Sequence, residues 1–359
     1  MKLFNIMMSA ALSLAGLAAA AAPEQPREKV ILDTDMVEVF DDGIAMMLLA
    51  KSPNIDLLGV TVVAGNTWVP EGVAYGIRQL ESIGETDIPL CQGVRLPIEP
   101  NRIDNIKDEV KLNGIGDGYL GSMGYAEPKS WRDFYVERYG EEPTAAPIDQ
   151  HAVDFIIEQV HKNPNEVSIL AIGTCCNLAM AVRKDPTIVP LIKRVIYMGG
   201  AFTVPGNTHP AAEFNWWYDP MAARIAVRSP FKEQMVVGLD VCNKVTMNKE
   251  RYQRIIDNMK NPELAKMLRN NFLYSSFEKD PNLNWCVWDV IVAAIAVDPS
   301  ILTEEMTRHI DVNAEKGISY GHSVAFHQNP PAGTQPARIV LDIDKAKFWT
   351  LIENLCQSL

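Results

Sequence analysis

Between residues 30 and 239 the chain repeats one pattern, a short apolar run rich in β-branched residues followed or preceded by a segment of helical period. Val30-Ile31-Leu32 leads to a helix over Gly43–Ala50, and Leu57–Val63 leads to a helix over Glu71–Ile83. Val153, Ile156, Ile157 and Val160 give His151–His161 a helical stripe before the apolar run Val167–Ile172. Leu178–Arg183, Val195–Met198, Pro220–Val227 and Met235–Leu239 continue the alternation. Strands that alternate with helices in this way predict an α/β fold: one large domain with a mostly parallel central sheet covered by helices, a Rossmann-like core. Ligands of such sheets lie beyond the carboxyl ends of the strands, which directs attention to the turns at Asp33, Ala64, Gly173, Gly199 and Asp240. Residues 101–144 read as an irregular, lid-like insertion. Ser319–Phe326 and Ala337–Leu341 read as a hairpin turned at Pro330–Gly333, with Lys345–Leu355 as the last helix.

The first residues predict an address. Lys2, the apolar run Phe4–Leu17 and the small residues Ala18–Ala22 form a signal peptide over residues 1–22, leaving a mature domain at 23–359 in the periplasm or outside the cell. An N-terminal membrane anchor is the alternative, but the apolar run is short for a bilayer. No stable membrane association is therefore expected once the signal is cleaved. The net charge of −12 disfavours a nucleic-acid partner, which needs a basic face. The expected partner is a small molecule, and a homo-oligomer is expected. None of the six cysteines has the spacing of a disulfide framework or a zinc site, so buried thiols are expected.

Three segments carry chemistry. Asp33, Asp35, Glu38, Asp41 and Asp42 crowd one strand-to-helix turn, a repulsive arrangement unless a cation or hydrogen bonds compensate it. Only oxygen donors are present there, which favours a hard cation such as Ca2+ or Mg2+ over zinc. Helix capping by Asp41 and Asp42 would account for those two acids but not for Asp33 and Asp35. The segment Gly206–Asn215 offers Asn207, Glu213 and Asn215, which suit the hydroxyl groups of a sugar. Trp285–Asp289 opens an apolar helix, where Asp289 serves as a dipole partner or completes a metal shell, and Trp288 supplies a flat aromatic face.

Together these segments resemble the nucleoside hydrolase family, whose pattern begins with DxDPGxDD after the first strand. The resemblance runs through Val63–Asn66, Gly173–Ala179, Met198–Gly200, Gly206–Asn215, Tyr218–Pro220 and Trp288–Asp289. It implies the nucleoside hydrolase fold and Ca2+-dependent hydrolysis of the N-glycosidic bond of ribonucleosides, with a nucleoside as substrate. It implies Ca2+ ligands at Asp35, Asp42, Asp289 and the backbone carbonyl of Cys176. It places ribose binding at Asp41, Asn66, Met198, Asn207, Glu213 and Asn215, and makes Asp35 the general base. Trp288 stands where the inosine-uridine type has a histidine and the purine-specific type a tryptophan, which implies a catalytic role toward a purine leaving group. The chain departs from the pattern by placing five residues between Asp35 and Asp41 where three are usual, so this turn must bulge. Two alternatives remain at this level: an exported nucleoside-binding protein without turnover, and a haloacid-dehalogenase-like Mg2+ phosphatase with Asp33 as nucleophile.

Overall fold

The computed structural model describes residues 26–113, 118–208 and 211–359. The expected signal peptide at 1–22 lies outside them. Period-two apolar patterning becomes strand, with successive side chains sent to opposite faces. In β1 (Glu28–Thr34), Val30 and Leu32 pack into one core layer and Ile31 into the other. The same division recurs in β4 (Val167–Ala171) and β5 (Arg194–Met198), where Leu170 and Ile196 face one layer and Ile169 and Val195 the other. With β2 (Ile55–Val62), β3 (Leu90–Gln92) and β6 (Gln234–Val237), these strands run parallel in the order β3-β2-β1-β4-β5-β6.

One face of the sheet is covered by α1 (Asp42–Lys51) and α2 (Val69–Ile83), with later helices described below. The chain then forms α3 (Arg102–Asn113) and α4 (Trp131–Tyr139) before α5 (Ala152–Lys162) and α6 (Cys176–Lys184) cross to the other face. Next come α7 (Phe214–Tyr218), α8 (Pro220–Arg228) and α9 (Leu239–Cys242). A two-stranded ribbon of β7 (Thr246–Asn248) and β8 (Asn284–Cys286) brackets α10 (Lys249–Asn258), α11 (Pro262–Asn270) and α12 (Phe272–Lys279). The apolar α13 (Asp289–Val297) packs against α1, and both are buried along nearly their whole length. A helix apolar on every side has no solvent face to offer, so it goes to the centre of the layer.

Two expectations need correction. Residues 101–144 are not irregular throughout, since they contain α3 and α4. The polar sequence of α3 hides its period, and its anchor is Arg102, a buried cation that donates to the carbonyls of Trp217 and Tyr218 and lies between the rings of Trp217 and Tyr320. The closing segment is also not a hairpin. The strand β9 (Leu302–Val312) lies between β10 (Ser323–Phe326) and β11 (Gln335–Ile343), antiparallel to both, and α14 (Lys345–Ser358) ends the chain. Much of β9 is exposed and charged, which conceals it from an apolar-pattern reading. The described cysteines are all free, and five of the six are buried, as expected of structural thiols. Among the described residues no helix is long and apolar enough to cross a membrane.

Candidate active site

The strand order reverses direction between β1 and β4, the switch point beyond which ligands of such sheets lie. Asp35 leaves β1 and Cys176 opens α6 just after β4, so the topology places both at this switch point. Asp42 and Asp289 occupy the first turns of the packed pair α1 and α13. Helix N-termini carry partial positive charge, which offsets part of the cost of burying these acids.

The carboxylates are nearly inaccessible to solvent: Asp33, Asp35 and Asp42 are 0% exposed and Asp289 is 4% exposed. Oxygens of Asp41, Asp42 and Asp289 all come within 4.8 Å of one another. Asp41 joins this trio because its Oδ2 accepts the N–H groups of Trp288 at 2.7 Å and Asp289 at 2.8 Å, tying the start of α1 to the start of α13. Asp42 Oδ1 accepts the Thr34 hydroxyl at 2.5 Å. Asp35 stands beside the trio, with its Oδ2 accepting Asn66 N–H at 2.6 Å. Its carboxyl is pushed up to about 7 by burial and then by the charges of Asp41 and Glu213, against the pull of that N–H. Burial and the neighbouring aspartates hold Asp42 and Asp289 well above the ordinary carboxylate range.

Asp35 Oδ1, Asp42 Oδ2 and Asp289 Oδ1 are buried without a hydrogen-bond partner among the described residues. Unsatisfied buried carboxylate oxygens are costly, and an all-oxygen group of like charges is the donor set of a hard divalent cation. The residues therefore fit a metal ion. Cys176 spends its thiol on Asp219 at 3.0 Å, which leaves its carbonyl as the group it could offer such an ion.

The sugar-binding candidates occupy the neighbouring loops. Met198 ends β5, and its carbonyl accepts Asn215 Nδ2 at 3.2 Å while Ile172 O accepts the same amide at 2.8 Å. Those bonds leave Asn215 Oδ1 buried and unpartnered among the described residues. Glu213 caps α7, accepting N–H bonds from Gly200, Asn215 and Trp216 at 3.0, 2.7 and 3.1 Å. Burial pushes its carboxyl up to about 7 against those three N–H groups. Asn207 accepts Phe214 N–H at 2.9 Å and so braces the loop from within. Asn66 presents its amide beside Asp35, with its Oδ1 accepting the Tyr119 hydroxyl at 2.9 Å.

Trp288 follows Asp41 directly through the backbone bond and stands in edge contact with Trp285, ring centroids 6.1 Å apart. Trp285 in turn meets Phe272, so an aromatic row runs outward from the carboxylates. The sequence reading assigned no role to Gly65, Tyr119 or Gln79. A side chain at Gly65 would collide with Asp35, Tyr119 reaches Asn66 from the insertion, and Gln79 binds the acidic turn from α2. Gly65 falls within the family-like stretch Val63–Asn66 and Tyr119 within the insertion at 101–144, whereas nothing in the sequence singled out Gln79.

Known proteins place the chain clearly. A family model described as inosine-uridine preferring nucleoside hydrolase matches residues 30–350. A pyrimidine-specific ribonucleoside hydrolase, RihB, of Escherichia coli is 31% identical over 333 residues, covering 91% of this chain and 96% of that protein. Among solved structures, the plant nucleoside hydrolase PpNRh1 is similar with a TM-score of 0.76 at 26% identity, covering 93% of this chain and 100% of that one. A purine-preferring ribonucleoside hydrolase from Gardnerella vaginalis shares the fold, with a TM-score of 0.72 at 24% identity, covering 92% of this chain and 100% of that one. A family match over residues 30–350, on a sheet that gathers buried carboxylates at its switch point, shows that this chain belongs to the inosine-uridine preferring nucleoside hydrolase family and is an N-glycosidic hydrolase.

Proposed function

We propose that the chain hydrolyses ribonucleosides to ribose and free base with the help of Ca2+, and that purine nucleosides are its preferred substrates. The observation that supports this best is that carboxylate oxygens of Asp35, Asp42 and Asp289 are buried without a hydrogen-bond partner among the described residues, where oxygens of Asp41, Asp42 and Asp289 gather within 4.8 Å and Asp35 feels the charges of Asp41 and Glu213. Asp35, Asp42, Asp289 and the Cys176 carbonyl would hold the ion, with Asp41 bracing the two helix starts that present them. Bound there, the ion would supply Lewis-acid polarisation and an anchor for vicinal hydroxyls.

The chain's own residues do the rest. Asp35, oriented through Asn66 N–H, takes a proton from the water that attacks the anomeric carbon. The Asn66 amide N–H groups and Asn215 Oδ1 receive ribose hydroxyls, while Met198 and Asn207 shape the loops around them. As the C–N bond breaks, the sugar gains positive charge, which Asp41 and Glu213 stabilise electrostatically. The bonding pair departs with the base, which takes up a proton from solvent and leaves neutral, while Asp35 returns the proton it took from water to solvent, so that nucleoside and water give ribose and base.

Trp288 supports the purine preference, because an indole face stacks more extensively on a bicyclic base. The pyrimidine-specific name of the Escherichia coli relatives favours the opposite preference as a second reading. Release of reducing sugar from inosine, guanosine, uridine and cytidine, with and without chelator and then with Ca2+ restored, tests the whole proposal. Higher kcat/KM for inosine and guanosine, lost on chelation and regained with Ca2+, is the expected result. Full activity in a metal-free sample would overturn the cation, and faster uridine turnover the purine preference. The apolar leader supports a periplasmic or secreted location, to be tested by cell fractionation.

A further inference from the structure

The turn between Asp35 and Asp42 holds a strained residue. Val39 is fully buried and β-branched, yet its φ is 57°, in the left-handed region that such side chains avoid. Conformations of this kind persist only when their surroundings over-determine them. Here the surroundings are polar and come from three separate helices. Gln79 of α2, itself 0% exposed, accepts Val39 N–H at 2.7 Å and donates to Val37 O at 3.4 Å and Tyr75 O at 3.0 Å. It presses so close to α1 that a Cβ on Gly43, the residue after Asp42, would sit 1.8 Å from Gln79 Oε1. Glu38 accepts Arg138 Nη2 at 2.7 Å and the Tyr139 hydroxyl at 2.8 Å, both from α4 in the insertion. Asn271, the cap of α12, donates to Glu38 O at 3.0 Å.

We propose that Gln79 and the Glu38–Arg138–Tyr139 cluster are positioning residues, which hold the lengthened turn in the one shape that aims Asp35 and Asp42 at a common cation. Resting on the cation reading above, this assigns a task to two elements that touch none of the reacting atoms. It also accounts for how the turn keeps its shape: Glu38 and Val39, midway between Asp35 and Asp42, are locked from outside. Groups that orient metal ligands typically cost 10–100-fold in metal affinity when removed.

The test is calorimetric titration of chelator-treated full-length chain with Ca2+, alongside thermal melting. Gln79→Met and Arg138→Ala should each weaken Ca2+ binding by about 10-fold or more, and Arg138→Lys should recover most of that loss, since Glu38 receives a single bond from this guanidinium. Gln234→Met is the control: Gln234 of β6 is likewise buried and bonds Tyr197, Val227 and Ser229, far along the chain from the turn. It should lower the melting temperature while leaving Ca2+ affinity within about twofold of wild type. Folded Gln79→Met and Arg138→Ala proteins with wild-type Ca2+ affinity would overturn the positioning role, as would an equal loss in Gln234→Met. Arg138 lies at a half-exposed site, so its variants keep the test decisive if Gln79→Met does not fold. Failure of the wild-type chain to bind Ca2+ would instead remove the cation reading itself, and the positioning role with it.

Discussion

Replacing Gly65 by alanine should disable the enzyme without unfolding it. A Cβ at this position would lie 2.1 Å from Asp35 Oδ2 and 2.7 Å from Asp35 Cβ and Cγ, where ordinary contact needs 3.4–4 Å. The backbone at Gly65 has little room to retreat, because its carbonyl accepts Ser122 N–H at 2.9 Å and its N–H bonds Thr67 O at 3.1 Å. The Asp35 carboxylate must therefore shift by roughly 1 Å, and it forfeits its 2.6 Å bond from Asn66 N–H. A misplacement of about 1 Å at a reacting group costs about 10²-fold, equivalent to about 2.7 kcal/mol of barrier. Overpacking of this kind lowers stability by about 1–3 kcal/mol, which a protein of this size tolerates. Steady-state hydrolysis of inosine and uridine at saturating Ca2+ should show kcat reduced about 100-fold with the melting transition intact. Gly124→Ala, whose Cβ would meet only Leu120 at 3.5 Å, should leave kcat unchanged. A Gly65→Ala enzyme within about threefold of wild-type kcat would refute the placement of Asp35 at the reaction centre.

The other tests address separate roles. Asp35→Asn keeps an oxygen for the cation but removes the base, so kcat should fall by about 10²-fold or more, with a smaller change in Ca2+ affinity; near-normal kcat would move the base elsewhere. Trp288→Ala should lower kcat/KM more for inosine and guanosine than for uridine. Equal losses for all three substrates would refute stacking on the base as the role of Trp288. Glu28 offers a pH-dependent contribution to stability. Burial raises its pKa, but the Ser168 hydroxyl and the charges of Arg194 and Lys193 outweigh that and hold it below the usual value. Its stabilisation is thus complete above the unfolded pKa of about 4.3 and disappears as pH falls through the lowered folded value. Glu28→Gln should melt below wild type at pH 7, by about 1 kcal/mol of stability, and the gap should close toward pH 3; a gap that persists unchanged in acid would sink this assignment.

Much of the scaffold was readable because its signals are local. The alternation of Val30, Ile31 and Leu32 between two core layers, and the helical stripe of α5, each need only a few neighbouring residues to reveal an element and its buried faces. Five acids in one turn at the end of β1 likewise announced that a buried charge problem had to be solved there. β9 escaped notice because its charged, exposed residues carry little apolar alternation, and α10–α12 gave no motif that pointed to chemistry. Which groups meet was settled only in three dimensions. Asp41 reaches the N–H of Asp289 across 248 positions, Glu38 meets Arg138 across 100, and Gln79 finds the N–H of Val39 across 40. Spacing along a chain determines the faces of strands and helices, because backbone geometry repeats within a few residues. The meeting of distant carboxylates depends instead on strand order and on the packing of α1 against α13, which the whole core decides together.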